Sequence, residues 1–121
     1  MISLQQAMVE CEISVHTIRY YEKEGLLKIG RNARGIREFD ERTFDRLKTI
    51  VHFRRSGIPV KSIKQIFANA RDEDMIIDVL ETAEAHIVTE LAQLTETLEH
   101  LRYKIDLHKS GAWREQQAGN N

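Results

Sequence analysis

The sequence contains one cysteine, one proline and no long hydrophobic run. A transmembrane helix needs about 20 consecutive apolar residues, and the chain has no such stretch. The first residues show neither the basic cluster nor the apolar segment of a secretory signal. A single cysteine cannot form an internal disulfide, which favours a reducing compartment. We therefore expect a cytoplasmic protein without a membrane partner, in which 121 residues form one small domain or a domain with an appendage.

The net charge of −1 conceals two halves of opposite sign. Residues 1–71 contain 14 Lys and Arg against 8 Asp and Glu, whereas residues 72–121 contain 4 against 11. This asymmetry predicts a polyanion-binding module joined to a segment that does not touch the polyanion. Chance clustering of solvated charges is the alternative.

Two short helices are predicted at the N-terminus. Ser3 and Gln6 form the capping-box pattern of a first helix, which stops near Glu12. Ser14 can cap a second helix, and Gly25 marks its end because glycine adopts the left-handed conformation without a Cβ penalty. Two short helices joined by a tight turn form a helix-turn-helix.

Residues 28–39 contain three turn-forming residues and are predicted to form a small hairpin or wing. Asp40 then caps a third helix that stops at Gly57. Pro59 lies near the first position of a fourth helix, where its missing N–H costs nothing.

The acidic half has the spacing of a coiled coil. Between Asp72 and Gly111 there is no glycine or proline, and only Glu84 breaks an apolar repeat with steps of three and four. We call this repeat the seam; its apolar members are Ile77, Leu80, Ile87, Leu91, Leu94, Leu98, Leu101 and Ile105. No second long helix in the chain can cover it, so we expect a homodimer. The predicted segments are 1–71 for DNA binding, 72–108 for dimerisation and 109–121 for a flexible polar tail.

The second helix has the side chains of a DNA reader. Its polar face presents groups that donate to base edges or phosphates in the major groove: His16, Thr17, Arg19, Tyr20 and Lys23. The wing adds Arg34 and Arg37, and the third helix adds Arg54. Each arginine taken alone is better explained as a solvated surface charge. Their convergence on one helix-turn-helix and wing predicts contact with double-stranded DNA.

These residues carry a family resemblance. Residues 14–27, SVHTIRYYEKEGLL, resemble the signature of the MerR family of bacterial transcription regulators. Residues 34–40 and 56–63 resemble that family's first and second wings. Residues 101–105 are similar to the end of the dimerisation helix in its small aldehyde- and thiol-stress branch, which has no separate effector domain. The resemblance covers residues 1 to about 108.

The resemblance implies an all-α fold with a small β-hairpin wing, a winged helix-turn-helix and an antiparallel coiled coil of two long helices. It implies binding to a near-palindromic promoter element and distortion of that DNA, which controls RNA polymerase indirectly. Carried over by residue, the groove and phosphate contacts are Thr17, Arg19 and Tyr20, the wing contacts Arg34 and Arg37, and a phosphate contact Arg54. His16 stands at a more variable position and is a possible base reader.

The departures from the family pattern bear on the turn between the first two helices and on the chemical signal that the regulator could sense. Glu12 stands where the family usually has glycine, at a cost of about 1 kcal/mol if the turn is left-handed there. Metal-sensing relatives use cysteines, and Cys11 alone makes no thiolate site. His86, His100 and His108 are too far apart along a helix unless a site forms across the dimer. We predict no metal and no cofactor, and read Cys11 as a core residue or, alternatively, an oxidisable switch.

Two other classes of function remain to be weighed. An architectural or excisionase-like protein would also bend DNA, but such factors usually lack a long dimerisation helix. No nucleophile arrangement, P-loop or dinucleotide glycine pattern is evident, so we expect no enzyme.

Overall fold

The computed structural model describes residues 1–119 and contains the predicted helices in the predicted order. The elements are β1 (Ile2–Ser3), α1 (Leu4–Cys11), α2 (Val15–Lys23), β2 (Gly30–Arg31), β3 (Arg37–Phe39), α3 (Glu41–Arg55), α4 (Val60–Ala68), α5 (Glu73–Lys109) and α6 (Ala112–Gly119). The predicted fold class is therefore confirmed: helices dominate, with a small sheet at the wing.

The first two helices begin at their predicted caps. Ser3 Oγ accepts a hydrogen bond from the Gln6 N–H at 3.1 Å, and Gln6 Oε1 accepts from the Ser3 N–H at 2.9 Å. Ser14 Oγ accepts from the Thr17 N–H at 3.2 Å at the start of α2. Each bond satisfies an N–H that the helix itself leaves without a partner, which explains why these short segments are helical.

The third helix is capped by a carboxylate. Asp40 Oδ1 accepts a hydrogen bond from the Thr43 N–H at 2.7 Å. This bond favours the ionised form and lowers the pKa of the Asp40 carboxyl. Pro59, predicted near the first helical position of α4, is its N-cap and makes no side-chain cap bond.

The sheet includes a strand that the sequence did not predict. β3 lies between β2 and β1, with Gly30 opposite Glu38 and Ile2 opposite Phe39, and both pairings are antiparallel. The hairpin of β2 and β3 is the predicted wing. β1 has only two residues, too few for an alternating pattern to be visible. Its pairing attaches the wing directly to the start of α1.

The hydrophobic core belongs to a compact unit that spans Met1–Ala83. Its largest fully buried side chains are Phe39, Ile18, Leu26, Leu47, Ile50, Ile58 and Ile63. Val79 and Ala83, on the first part of α5, also pack against this core. The compact unit therefore includes the first part of α5, up to Ala83. The assignment of residues 1–71 to DNA binding and 72–108 to dimerisation stays a prediction.

The second unit begins at Glu84 and contains the rest of α5. Within the segment predicted as a polar tail, Ala112–Gly119 form α6. The Trp113 ring lies 4.9 Å from the His108 imidazole, measured between centroids. The flexibility of this tail stays a prediction. Residues 120 and 121, which belong to the predicted tail, lie outside the described range.

The turn between α1 and α2 holds a strained residue. Glu12 has φ 54° and ψ 46°, the left-handed conformation that the family's glycine would adopt easily. It is the one non-glycine residue with positive φ among residues 1–119. Arg55 on α3 donates from Nη2 to the Cys11 carbonyl oxygen at 2.6 Å and lies 3.7 Å from Glu12 Oε2. A contact from another helix therefore supports the turn.

Replacing Glu12 with glycine should raise the free energy of unfolding by about 0.5–1 kcal/mol, because the left-handed penalty disappears. The exposed ion pair with Arg55 that is lost contributes little. Urea unfolding followed by circular dichroism measures the change. Glu12→Ala is the matched control, since it removes the ion pair but keeps the Cβ. If both variants unfold at the same urea concentration, the turn stores no strain.

Candidate nucleic-acid interface

Helix α2 has one buried side and one solvent-facing side. Ile18 and Tyr21 are buried in the core and fix the orientation of the helix. The positions at spacings of three, four and seven residues share the opposite face, and the side chains there are exposed: His16, Arg19, Tyr20 and Lys23. The structure thus brings four of the five predicted α2 residues to one surface.

Thr17, the fifth predicted residue of α2, is engaged by the helix cap. Its side chain is half-buried, its N–H donates to Ser14 Oγ, and its hydroxyl lies 3.1 Å from the same oxygen. A hydroxyl has one proton and two lone pairs, so a phosphate contact would share the group with the cap. Its predicted role in binding DNA stays a prediction.

The tip of the wing is held by its own side chains. Asn32 Oδ1 accepts hydrogen bonds from the N–H groups of Arg34 at 2.9 Å and Ile36 at 3.1 Å. Arg31 Nη1 donates to the Gly35 carbonyl oxygen at 2.9 Å. These bonds fix the backbone at the tip while the Arg34 side chain is exposed. Arg34 is therefore presented to solvent on an ordered turn.

Arg37 links the wing to α2. Its Nε and Nη2 both lie 3.2 Å from Glu22 Oε1, and the two side chains are only 20% and 27% exposed. In this arrangement the Arg37 guanidinium is engaged in an ion pair with the Glu22 carboxylate. The contact of Arg37 with DNA stays a prediction. Its contact with α2 fixes the position of the wing relative to the exposed face of α2.

Glu22→Gln tests whether this link matters. Removing a negative charge near a polyanion raises affinity by electrostatics alone, whereas loosening the wing lowers it. We expect affinity for operator DNA to fall by about three- to tenfold, the range of a part-buried ion pair. Fluorescence anisotropy with labelled DNA measures it. Glu10→Gln, an exposed change of equal charge on α1, serves as the control and should not weaken binding. A gain in affinity for Glu22→Gln would show that the ion pair does not position the wing.

The end of α2 is tied to α3 and α4 by two further basic residues. Lys64 Nζ lies 2.6 Å from Glu24 Oε2. Arg46 Nε donates to the Leu26 carbonyl oxygen at 2.6 Å, and its guanidinium lies 4.0 Å from the centroid of the Phe67 ring. These positioning residues are not evident from the sequence, because their partners are 20 and 40 positions away.

The two arginines at the end of α3 point to different places. Arg54, a predicted phosphate contact, is exposed, and its Nη1 donates to the Ile58 carbonyl oxygen at 3.2 Å. Arg55 turns toward the α1–α2 turn. Four guanidinium donors of Arg54 stay available for a phosphate, since that bond uses one of five.

Cys11 lies in the hydrophobic core. Its side chain is buried, and burial, reinforced by the nearby Glu10 carboxylate, raises the pKa of the thiol. Thiolate is the reactive form, so the folded environment suppresses reactivity. This placement supports the reading of Cys11 as a core residue.

Native Cys11 should react with Ellman's reagent at least about 100-fold more slowly than in urea-unfolded protein at the same pH, because access requires opening of the core. The raised pKa acts in the same direction, since less thiolate forms at a given pH above neutrality. The rate is measured from the absorbance of the thionitrobenzoate that each reacting thiol releases. Rapid reaction of the native protein, with loss of DNA binding, would instead support the oxidisable switch.

The predicted seam is exposed in a single chain. No residue of α5 is buried, and the side chains of the predicted dimer contacts are between 41% and 66% exposed: Leu80, Ile87, Leu91, Leu94, Leu98, Leu101 and Ile105. They form an apolar stripe, interrupted at Glu84, of the kind that marks protein interfaces. Their role in dimerisation stays a prediction.

Within residues 1–119, no three His, Cys, Asp or Glu side chains converge as metal ligands would. No helix over the same range is both long and apolar enough to cross a bilayer.

Comparison with known proteins gives the family. A family profile described as "MerR HTH family regulatory protein" matches residues 2–70. An uncharacterised HTH-type transcriptional regulator of Haemophilus influenzae is 30% identical over 103 residues, which cover 80% of this chain and 76% of the relative. The HTH-type transcriptional regulator HmrR of Rhizobium leguminosarum bv. viciae is 33% identical over 92 residues, covering 70% and 71%.

A solved structure shows the same fold. HiNmlR, a MerR family regulator lacking the sensor domain and bound to promoter DNA, superposes with a TM-score of 0.74 at 26% identity, covering 88% of this chain and 85% of that one. The exposed face of α2, the wing beside it and these relatives agree with the motif that begins at Ser14. The chain belongs to the MerR family of helix-turn-helix transcription regulators.

Proposed function

We propose that this protein is a homodimer that binds a near-palindromic promoter element and distorts the DNA to control access of RNA polymerase. The observation that carries the proposal is the exposed face of α2, with its three basic or polar donors His16, Arg19 and Lys23 beside Tyr20. The HiNmlR structure, which contains promoter DNA, supports the same target.

The geometry of α2 suits the major groove. An α-helix fits this groove, where arginine donates to guanine edges or to phosphates and histidine to base acceptors. Arg19 and Lys23 supply charge along the helix, and Tyr20, 45% exposed, supplies a hydroxyl for a phosphate oxygen. Arg34 extends the contact to the neighbouring backbone. Two copies related by a two-fold axis would then read two inverted half-sites.

Distortion of the DNA follows from rigid spacing. A dimer holds its two reading helices at a set separation, so a promoter whose half-sites do not match must bend or untwist. The family resemblance implies that this change aligns the promoter boxes for RNA polymerase. We infer further that the protein has no catalytic activity or cofactor and acts at the nucleoid in the cytoplasm.

A salt titration tests the proposal directly. Anisotropy is measured on the DNA just upstream of the protein's own gene and on scrambled DNA of equal length, with and without a thiol oxidant. We expect tight, steeply salt-dependent binding to the upstream DNA, since each neutralised phosphate adds to the slope. Equal affinity for both DNAs would show that the protein does not recognise the sequence of that upstream DNA.

In vitro transcription distinguishes the architectural alternative. A regulator should change transcript yield from the bound promoter, as well as the mobility of circularly permuted DNA fragments that report bending. A protein that bends the DNA but leaves transcription unchanged would be architectural.

A further inference from the structure

Helix α5 is polarised in charge along its length. Residues 72–90 contain seven Asp or Glu and no Lys or Arg, whereas residues 102–109 contain three basic residues and one acidic residue. Such a helix repels a parallel copy of itself and attracts an antiparallel copy, because unlike ends then lie side by side.

One acidic side chain lies in the seam itself. Glu84 stands four residues after Leu80 and three residues before Ile87, and so occupies a seam position. In a parallel dimer Glu84 would meet the same residue of the partner, which places two like charges in a partly dry interface. A polar residue at one core position of a coiled coil often sets register and orientation.

We propose that two copies of α5 pair antiparallel in the register in which Leu91 faces the partner's Leu94, and that Glu84 pairs with Arg102 of the partner subunit. The proposal rests on the homodimer proposed above and adds its register. Counting outward from that central contact, Ile87 faces the partner's Leu98 and Glu84 faces the partner's Leu101. All described seam positions from Glu84 to Leu101 then find a seam position opposite.

The side of the helix selects Arg102 as the ionic partner. Arg102 follows Glu84 by about five full helical turns and therefore lies on the side of the seam that Glu84 borders. Lys104 lies on the opposite side of the seam. In an antiparallel pair with a perpendicular two-fold axis, like flanks face one another. Within residues 1–119, neither Glu84 nor Arg102 has an intrachain salt bridge, and both side chains are exposed.

Other antiparallel registers fit less well. Sliding one helix by a heptad keeps seam residues opposite each other but moves Arg102 of the partner subunit about 10 Å away from Glu84. Sliding in one direction leaves Ile77 and Leu80 without an apolar partner. Sliding in the other direction places Glu84 opposite Leu94 of the partner subunit, with no basic residue beside it. The proposed register alone both pairs the seam from Leu80 to Ile105 and places a basic residue, Arg102 of the partner subunit, beside the Glu84 carboxylate.

Disulfide trapping tests the register in the full chain. The single native thiol is removed by Cys11→Ala, and Ile87→Cys and Leu98→Cys are made separately in that background. We expect disulfide-linked dimers when the two variants are mixed, allowed to exchange subunits and oxidised. Each variant alone should cross-link poorly, because equivalent positions then lie about 16 Å apart, beyond the reach of a disulfide.

The outcomes separate the two proposals. Cross-linking of each variant alone, without extra product in the mixture, would indicate a parallel dimer and overturn the register. Absence of cross-linking in all three samples, with a dimer seen by sedimentation, would overturn the register but leave the homodimer. A wild-type chain that sediments as a monomer at micromolar concentration would overturn the homodimer itself.

Charge reversal tests the ion pair. Arg102→Glu should weaken dimerisation by about tenfold or more, and adding Glu84→Arg to it should recover most of the loss. Lys104→Glu is the control, since it makes the same charge change on the other flank and should weaken the dimer less. If Arg102→Glu and Lys104→Glu act equally and Glu84→Arg restores nothing, the ion pair is not formed.

Discussion

Replacing Leu94 with lysine is expected to convert the dimer to a monomer at micromolar concentration. Leu94 is 66% exposed in the single chain, near the middle of the apolar seam. A two-fold dimer contains the substitution twice, so two ammonium groups would have to be desolvated in the interface without partners. We expect the dissociation constant to rise at least about 100-fold, measured by sedimentation equilibrium.

Gln93→Lys is the matched control for that experiment. It introduces the same side chain one residue earlier on α5, where the position is exposed and lies outside the seam. It should leave the dimer intact. If Leu94→Lys remains dimeric under the conditions in which Gln93→Lys is dimeric, the seam has been misplaced. DNA binding should weaken in parallel with dissociation, because a monomer can occupy only one half-site.

Replacing Arg19 with alanine should weaken binding to operator DNA by about 10- to 100-fold. A charged contact to a phosphate or base edge contributes about 1–3 kcal/mol. Because the dimer carries the change twice, a loss of about 1 kcal/mol per copy, at the lower end of that range, already weakens binding by about 30-fold. Loss of a phosphate contact would also lower the slope of log affinity against log salt by about one per contact.

The salt slope distinguishes the two roles of Arg19. A phosphate contact weakens binding to specific and scrambled DNA alike and flattens the slope, whereas a base contact weakens only specific binding. Arg114→Ala, an exposed arginine on α6, removes the same side chain from the acidic half and should change neither quantity. Unchanged affinity and slope for Arg19→Ala would remove this residue from the interface.

Helix positions could be predicted from the sequence because their signals are local. The Ser3, Ser14 and Asp40 caps, the Gly25 stop and the α5 repeat each act within a few residues of the chain, and the structure has helices where they predict them. The conformational cost expected for Glu12 in a left-handed turn applies, since its φ is positive.

The contacts that orient the candidate interface could not be predicted in the same way. The pairs Arg37–Glu22 and Arg55–Cys11 join residues 15 and 44 positions apart, and no spacing rule connects them. All the arginines therefore resembled free cations in the sequence. The structure separates exposed Arg19 and Arg34 from Arg37, which is engaged within the fold.

The split of charge between the two halves has a consequence for the search along a genome. A regulator must leave a vast excess of wrong sites quickly, and a uniformly basic surface would be retained at each of them. Here the excess positive charge is confined to residues 1–71, and the acidic segment beyond it adds no net attraction for the phosphate backbone. Such a distribution shortens each unproductive stay on random DNA and leaves more copies free to reach the promoter.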